Sequence, residues 1–299
     1  MQKILLTLLI TFLILTNYVY SQDADVAASD STWEKGMFFG LNFSNTGLSN
    51  WAGGGQNAIN VSSLLNLHAN MKKENSSFQN SLELAYGMTK LGKLGLRKSD
   101  DRLILVSNYG YKAAKSLEYS ALLDFRTQFT KGFNYDQTDT NTGDYLYISN
   151  FMAPAYLNVG IGMSYKPDDY FQLYLSPISN RIIFVLDDTL SDRGAYGVEP
   201  GKNIKSELGA TMAAQYERDV YENIHFKSRV TVFAPYEHFT TMVVNSETMM
   251  TFKINKYMNA SFSVEMIYDH NIDVTRDNGT IGPALQLKHV LAIGIGYKI

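Results

Sequence analysis

From residue 36 to the end of the chain, apolar and polar residues alternate in a series of long segments, and this pattern limits the fold more than any other feature. In the last segment, Leu291, Ile293 and Ile295 fall on one side, and Ala292 and Gly294 fall on the other. A period of two residues is that of a β-strand. Most segments have roughly ten to fifteen residues, whereas strands of soluble sheets usually have about five or six and a tilted membrane strand needs about nine to eleven. The pattern therefore favours strands that cross a membrane.

Twelve such segments can be counted. They cover residues 36–44, 57–72, 77–89, 101–112, 117–129, 155–166, 170–177, 204–217, 223–236, 241–256, 258–270 and 285–299. Residues 181–186 are apolar without alternation, so we place them in a loop. A bilayer offers no water to unpaired backbone groups, and closing a sheet removes its edges. We therefore predict an all-β fold, a transmembrane antiparallel up-and-down β-barrel of about 12 strands.

The connections between these segments alternate in length. Short turns follow the even-numbered strands, whereas longer connections follow most odd-numbered strands, at residues 45–56, 90–100, 130–154, 178–203 and 271–284. The short connection at residues 237–240 is the exception. Short periplasmic turns and longer external loops are typical of outer-membrane barrels. This asymmetry predicts the cell outer membrane as the location, and the loops 130–154 and 178–203 are long enough to fold inward and plug the lumen.

The first residues differ from the rest of the chain. Lys3 precedes an apolar run at residues 4–16, an arrangement typical of a signal peptide. An uncleaved anchor is the alternative, but the run is shorter than the roughly 20 residues that a spanning helix needs. We predict a signal peptide over residues 1–21, cleaved after Ser21, a periplasmic N-terminal tail over 22–34 and the barrel over 35–299.

Charged residues fall on the polar side of the predicted strands. A Lys or Arg that faces lipid at the bilayer midplane costs about 2–4 kcal/mol, so we expect these residues to face inward. Their mixed signs indicate internal ion pairs instead of a ring of one sign. The predicted lumen-lining residues are Glu83, Arg102, Lys112, Glu118, Asp124, Arg126, Glu207, Lys227, Arg229, Glu247 and Glu265.

Several short stretches resemble a known family. They are residues 33–36 (WEKG), 41–44 (LNFS), 48–55 (LSNWAGGG), 154–157 (PAYL), 160–162 (GIG), 165–167 (YKP) and 175–177 (LSP). This set resembles a Bacteroidetes outer-membrane family known as domain of unknown function 3078, over nearly all of the mature chain. The resemblance implies an outer-membrane barrel, and it implies no activity or substrate.

A glycine-rich block in the first external loop is one candidate site. Asn50, Trp51, Gly53, Gly54 and Gly55 belong to it, and no Lys-Ser or Lys-Thr pair follows, so it is not a phosphate loop. We interpret it as a loop or rim motif, a tight turn with Trp51 packed into the barrel mouth. A constriction or a partner contact is the alternative interpretation.

Other candidate chemistry is weaker. Residues 136–144 (DQTDTNTGD) alternate oxygen ligands for calcium, but Gly143 stands where the EF-hand order needs a ligand. Ser107, Ser246 and His289 fall on apolar sides, where a lipid-active enzyme would need them, but no Gly-x-Ser-x-Gly motif is present. The chain has no cysteine, which excludes a disulfide framework, a thiolate metal site and a cysteine nucleophile. We predict no enzyme, no cofactor and no metal.

The predicted function follows from the fold. Twelve strands lie between the filled barrels of eight and the open porins of sixteen or more, so we expect a narrow or loop-plugged channel for small solutes. A non-conducting scaffold or partner subunit of an envelope complex is the alternative. The expected partners are outer-membrane lipids, the barrel-assembly machinery during biogenesis and an envelope protein. A formal charge of -3 gives no reason to expect a nucleic-acid partner.

Overall fold

The structure, a computed structural model, describes residues 32–47, 57–139, 142–276 and 280–298. The predicted signal peptide, most of the predicted tail and the glycine-rich block at residues 50–55 lie outside the described residues. Within the described ranges, no helix has the length and apolar character needed to cross a membrane.

The described residues are mostly strands. They form β1 (Thr32–Thr46), β2 (Ala58–Lys72), β3 (Ser76–Leu91), β4 (Leu96–Ala114), β5 (Leu117–Thr127), β6 (Gly132–Thr138), β7 (Tyr145–Ser149), β8 (Ala155–Tyr165), β9 (Phe171–Phe184), a short helix α1 (Asp188–Asp192), β10 (Ile204–Tyr221), β11 (Ile224–Pro235), β12 (Val243–Lys253), β13 (Met258–Tyr268), β14 (Asp273–Thr275), β15 (Ile281–Pro283) and β16 (Gln286–Lys298).

Twelve of these strands close into one antiparallel barrel. Their order around it is β1, β16, β13, β12, β11, β10, β9, β8, β5, β4, β3 and β2. The barrel strands run from 11 residues in β5 to 19 in β4, which is enough to cross a bilayer. Closure gives each strand two neighbours and removes the unpaired edges. The predicted twelve-stranded antiparallel barrel is therefore confirmed.

Strand β9 corrects one part of the sequence prediction. Residues 181–186 were expected in a loop, but β9 continues to Phe184, and Arg181 pairs with Asn158 of β8 and Glu207 of β10. The register shifts on both sides of β9 next to Pro177, which cannot donate to a ladder. The segment lacks alternation because Ile183, on the inner side, is fully buried in an apolar cluster.

Two further boundaries differ from the prediction. Residues 90–100 were expected to form a long loop, but β3 and β4 continue to a tight turn at residues 92–95. Strand β1 begins at Thr32, inside the segment predicted as a tail, and runs against β16 from Phe38 onward. At residues 90–100 the strands extend past the alternating residues because backbone pairing continues, with Thr89 opposite Arg97 and Lys90 opposite Leu96.

The two ends of the barrel differ. We call the end with connections at residues 73–75, 115–116, 166–170, 222–223 and 254–257 the turn end, and the opposite end the loop end. Loop-end connections carry the hairpin β6–β7, helix α1 and the pair β14–β15. Ala153, Ile183, Val185, Leu190 and Val198 form a buried apolar cluster that holds the loops of β6–β7 and α1 on β9. The described parts of these two loops thus pack against the loop end of β9.

The polarity of the barrel is inverted relative to a soluble protein. Large apolar side chains lie exposed on the outer face, including Ile161, Ile178, Leu208 and Leu291 at 63–73% exposure. Buried polar side chains lie inside, including Asn108, Ser120, Asp124, Ser164, Ser176, Arg181, Thr211 and Thr231. Soluble proteins rarely expose contiguous apolar patches larger than a few hundred Å², so an apolar belt around a polar interior indicates a lipid-facing surface.

Aromatic side chains cluster on the outer face near the turn end. Trp33 contacts Phe78 with ring centroids 6.4 Å apart, and Phe78 contacts Tyr109 at 6.3 Å. On the far side of the barrel, Tyr216 and Phe226 are 6.0 Å apart. Rings at this level match the aromatic girdles that outer-membrane barrels place at the bilayer interface.

Candidate functional site

Ion pairs cross the interior of the barrel. Arg126 on β5 bonds to Glu247 on β12, although β8, β9, β10 and β11 stand between these strands on the shorter way round. Side chains on strands so far apart can meet only through the bore. The structure therefore places both residues inside the barrel by geometry alone.

Four charged groups form the centre of this network. Asp124 Oδ1 accepts a hydrogen bond from Arg126 Nε at 2.8 Å, and Asp124 Oδ2 accepts one from Arg229 Nη2 at 3.2 Å. Arg229 stands opposite Glu247 in the β11–β12 ladder. The Asp124 side chain is only 2% exposed. Two cations and two anions alternate here, so the group carries no net charge and each charge has a partner.

A second group lies beside the first. Arg102 Nε is 2.8 Å from Glu83 Oε1, and Arg102 Nη1 donates to Glu265 Oε2 at 3.2 Å. Arg102 is on β4 and Glu265 on β13, so this contact also crosses the bore. A third crossing joins Lys288 on β16 to Asp100 on β4 at 2.8 Å. Asp124, Arg126, Arg229 and Glu247, together with Glu83, Arg102 and Glu265, form what we call the ion-pair partition.

Charged pairs also occupy both ends of the bore. Near the loop end, the buried Arg181 contacts Asp269 and lies 3.1 Å from Glu207, whose other oxygen is 2.9 Å from Lys205. Near the turn end, Glu118 stands opposite Lys112 and receives a hydrogen bond from Lys166 Nζ at 2.8 Å. Lys227 lies 3.1 Å from Glu217. Each of the eleven residues predicted to face inward thus lies in an ion pair or beside one of these groups.

The partition separates two unlike halves of the bore. On the side of β5, β8, β9, β10 and β11, many inward side chains are packed, and Ser120, Ser164, Tyr174 and Thr211 are each at most 5% exposed. Glu217 and Lys227, near the turn end, are more exposed, at 38% and 41%. On the side of β1, β2, β3, β13 and β16, most of the described inward side chains are half-buried or exposed, although Ala85 is only 3% exposed. Val290, which faces inward beside Ser263, is 39% exposed. More of the accessible space therefore lies on this second side of the partition.

A cavity opens at the loop end of this accessible half. Its volume is about 400 Å³, and Lys98, Asp100, Arg102, Glu265, Gln286 and Lys288 are among the residues that line it. The carboxylates and cations of this lining pair with one another. The cavity thus forms a vestibule next to the Arg102–Glu265 crossing.

A separate polar cluster fixes the loops at the loop end. Tyr147 of β7 donates to Asp187 Oδ2 at 2.6 Å, and Asp187 Oδ1 accepts from the Leu190 N–H as the N-cap of α1. Burial, the largest influence, would raise the pKa of Asp187, but hydrogen bonds from Tyr147, Asn150 and Leu190 outweigh it and hold the pKa below its ordinary value near 3.8. The carboxylate is the form that joins β7 to α1.

The other candidate sites remain separate from this network. Ser107 Oγ donates to Asn80 Oδ1 at 2.8 Å. His289 is exposed and stands opposite Val264 in the β13–β16 ladder. Strands β1, β2 and β3 lie between Ser107 and His289. Ser246 lies two strands from His289. Residues 136–144 span a gap in the described residues.

Sequence reasoning missed several members of the network. Arg181 was missed because its segment was placed in a loop, and Asp100 was missed because residues 90–100 were predicted as a loop. Lys166, Lys205 and Lys288 do alternate with apolar neighbours, so the period of two could have found them. Which charges pair across the bore depends on strand order, which the alternation does not contain.

Comparison with known proteins adds a family match. Residues 43–133 match the model of a family described as protein of unknown function (DUF3078). The match runs from β1 to β6 and supports the resemblance found from the sequence over that part. The resemblance of residues 33–36 and 154–177 lies outside the matched segment, and it stays a prediction, as does the Bacteroidetes origin. No curated protein matches the chain in sequence.

Solved structures with a similar fold have low sequence identity. An outer membrane channel from Pseudomonas putida F1 is 9% identical, with 94% of this chain and 100% of that chain covered and a TM-score of 0.39. The translocator domain of autotransporter NalP from Neisseria meningitidis is 9% identical, with 91% and 90% covered and a TM-score of 0.37. The Pseudomonas putida toluene transporter TodX is 10% identical, with 91% and 89% covered and a TM-score of 0.29. The fold assignment itself rests on the closed strand ladder.

Proposed function

We propose that this protein is an outer-membrane β-barrel that conducts small solutes through a narrow passage along one side of its bore. The passage runs between the ion-pair partition and the inner wall of β1, β2, β3, β13 and β16. The observation that carries this proposal is the contrast between the packed and the accessible halves of the interior.

The membrane part of the proposal rests on the outer face. Exposed apolar residues surround the barrel, and aromatic rings cluster near the turn end. Lipid can cover this face because the closed ladder pairs the backbone N–H and C=O groups, which leaves none of them unpaired in the bilayer. By the usual asymmetry of such barrels, the turn end lies in the periplasm and the loop end outside. Outer-membrane lipids are then the first partner, and the barrel-assembly machinery is needed for insertion.

The partition explains why the passage is narrow. Its crossings occupy the space that a barrel of twelve strands would otherwise leave open. Removing both partners of the Arg102–Glu265 crossing takes away one charge of each sign but leaves Glu83 without Arg102, so we expect the barrel to fold with reduced stability. Arg102 and Glu265 are the best targets because they border the vestibule.

Conductance in planar lipid bilayers tests the proposal. We expect the native protein to give small single-channel steps, and the variant Arg102→Ala/Glu265→Ala to give larger steps because the crossing beside the passage is gone. The matched control is Arg193→Ala/Asp139→Ala, which removes a loop-end pair of 3.3 Å outside the bore. Heat-modifiable gel mobility shows that each variant is folded.

Silence of both the native protein and the bore variant, while both are folded, would contradict the channel. That result would favour the alternative, a scaffold or partner subunit in the envelope. The ion pairs of the partition, which cross the bore, would also be expected in a barrel that is permanently closed.

A further inference from the structure

We propose that the passage takes small uncharged polar solutes and disfavours ions, an inference that rests on the proposed channel function. It names the class of solute from the chemistry of the accessible wall. The polar residues of this wall belong to β2, β3 and β13, whereas β16 contributes the apolar Val290.

Much of the wall is polar and uncharged, although the ladder pair Leu64 and Ala85 on the same side is apolar. Ladder pairs place Asn66 opposite Glu83, Asn70 opposite Gln79 and Ser263 opposite Val290, which marks the inner side of each strand. The uncharged polar residues on that side are Asn60, Ser62, Asn66, His68, Asn70, Gln79, Ser81, Ser261 and Ser263. Their amides and hydroxyls offer both donors and acceptors.

These groups are available to a solute. Ser81 is exposed although it faces inward, and Asn66, His68 and Ser263 are half-buried. In the described part of the chain, no side-chain hydrogen bond occupies Asn66, Asn70 or Ser81. The His68 ring lies against Gly36 of β1, where a Cβ would collide with it, so the backbone leaves room for this ring at the inner surface.

Charges near the wall lie at its ends or are already paired. Lys72 and Lys253 lie at the turn end, and Lys288 with Asp100 crosses the loop end. Glu83, the charge nearest the middle, is paired with Arg102. The facing side of the passage is the partition, whose cations and anions alternate and pair. An ion that enters would lose hydration without finding a field of one sign, whereas an uncharged solute can exchange water for the wall amides and hydroxyls.

The vestibule contains a further free donor. Gln286 Nε2 is buried in the cavity lining and has no hydrogen-bond partner in the described structure. A buried amide without a partner costs free energy that a hydroxyl or carbonyl oxygen of a solute could recover. The cavity volume of about 400 Å³ is in the range of sites that hold small molecules.

Solute uptake by proteoliposomes tests this inference. The probes are glucose, gluconate and glucosamine, which have similar size and differ in charge. We expect glucose to enter about tenfold faster than either charged probe, because only the ions pay the desolvation cost. A potassium chloride gradient should give a reversal potential near zero.

A charge placed on the wall should change this selectivity. Ser81→Asp puts a carboxylate on the exposed inner surface, so glucosamine uptake should rise and gluconate uptake should fall. Thr189→Asp, on an exposed residue of α1, is the matched control and should leave the ratios unchanged. Heat-modifiable mobility again reports folding, and Ser81→Asn keeps the wall uncharged if the acidic variant does not fold.

The outcomes separate the two proposals. If the native protein conducts but admits gluconate or glucosamine as fast as glucose, the solute class is wrong and the channel stands. If Ser81→Asp is folded and conducts with unchanged selectivity, the passage does not follow this wall. If neither the native protein nor Arg102→Ala/Glu265→Ala admits any probe, the channel itself fails.

Discussion

Asp124 shows how single residues hold the interior together. Its carboxylate is almost fully buried and faces two guanidinium groups, those of Arg126 and Arg229. Removing one member of a buried, hydrogen-bonded pair leaves the others without compensation, which costs about 3–5 kcal/mol. The stability of the partition therefore depends on single residues such as Asp124.

We expect Asp124→Asn to lower the free energy of unfolding by about 3 kcal/mol, because the two guanidinium groups lose their shared counter-charge. Urea titration of the protein folded into lipid vesicles, followed by tryptophan fluorescence, measures the change. Asp192→Asn, on an exposed residue of the loop end, is the control. An equal loss in both variants would show that the partition does not stabilise the barrel.

At the residue scale, the sequence predicts which side of a strand a charged residue faces, but it does not predict the partner of that residue. The alternation predicted that Asp124, Arg126 and Glu247 point away from lipid, because a charge on the outer face is costly. It could not predict that Arg126 meets Glu247, since that contact depends on which strands face each other across the bore.

At the scale of elements, the loop end is held by one polar cluster. Asp187 begins α1 and also accepts the Tyr147 hydroxyl of β7, so a single carboxylate joins two loops. Its pKa in the folded protein is lowered, so the stability that it contributes is present above its ordinary pKa near 3.8 and is lost as the pH falls through the lower folded value.

We therefore expect the contact between α1 and the β6–β7 hairpin to persist at pH 7 and at pH 5, and to weaken below about pH 4. Hydrogen exchange of the Leu190 amide, corrected for the intrinsic effect of pH, measures this. Asp187→Asn should show weak protection already at pH 7 and little further change on acidification. Full protection of Leu190 at pH 3 in the native protein would contradict the role of the carboxylate.

Elements with clear alternation were predicted well, and those without it were not. Strand β9 was cut short because Pro177 and the apolar run after it look like the end of a strand. The run continues the ladder because Ile183 packs under the loops, so its inner side is apolar. Tertiary packing of the loops, which the local pattern does not contain, decides this boundary.

At the scale of the whole molecule, the barrel has its apolar and polar sides inverted relative to a soluble protein. Apolar side chains face out, paired charges and uncharged polar groups face in, and the closed ladder satisfies the backbone. The partition divides the interior, so the proposed passage is narrow and runs along one side of the bore. The number of strands could be predicted from the sequence, whereas the division of the bore follows from pairs that only the folded barrel brings together.

The most direct test of this inversion is a spin-label scan of β2 in lipid bilayers. The chain has no cysteine, so single cysteines at positions 59–67 can be labelled without background. The account predicts alternation, with Ile59, Val61 and Leu65 positions accessible to oxygen dissolved in lipid, and Asn60, Ser62 and Asn66 positions accessible to a water-soluble relaxing agent. Absence of alternation, or odd-numbered positions that neither agent reaches, would contradict it.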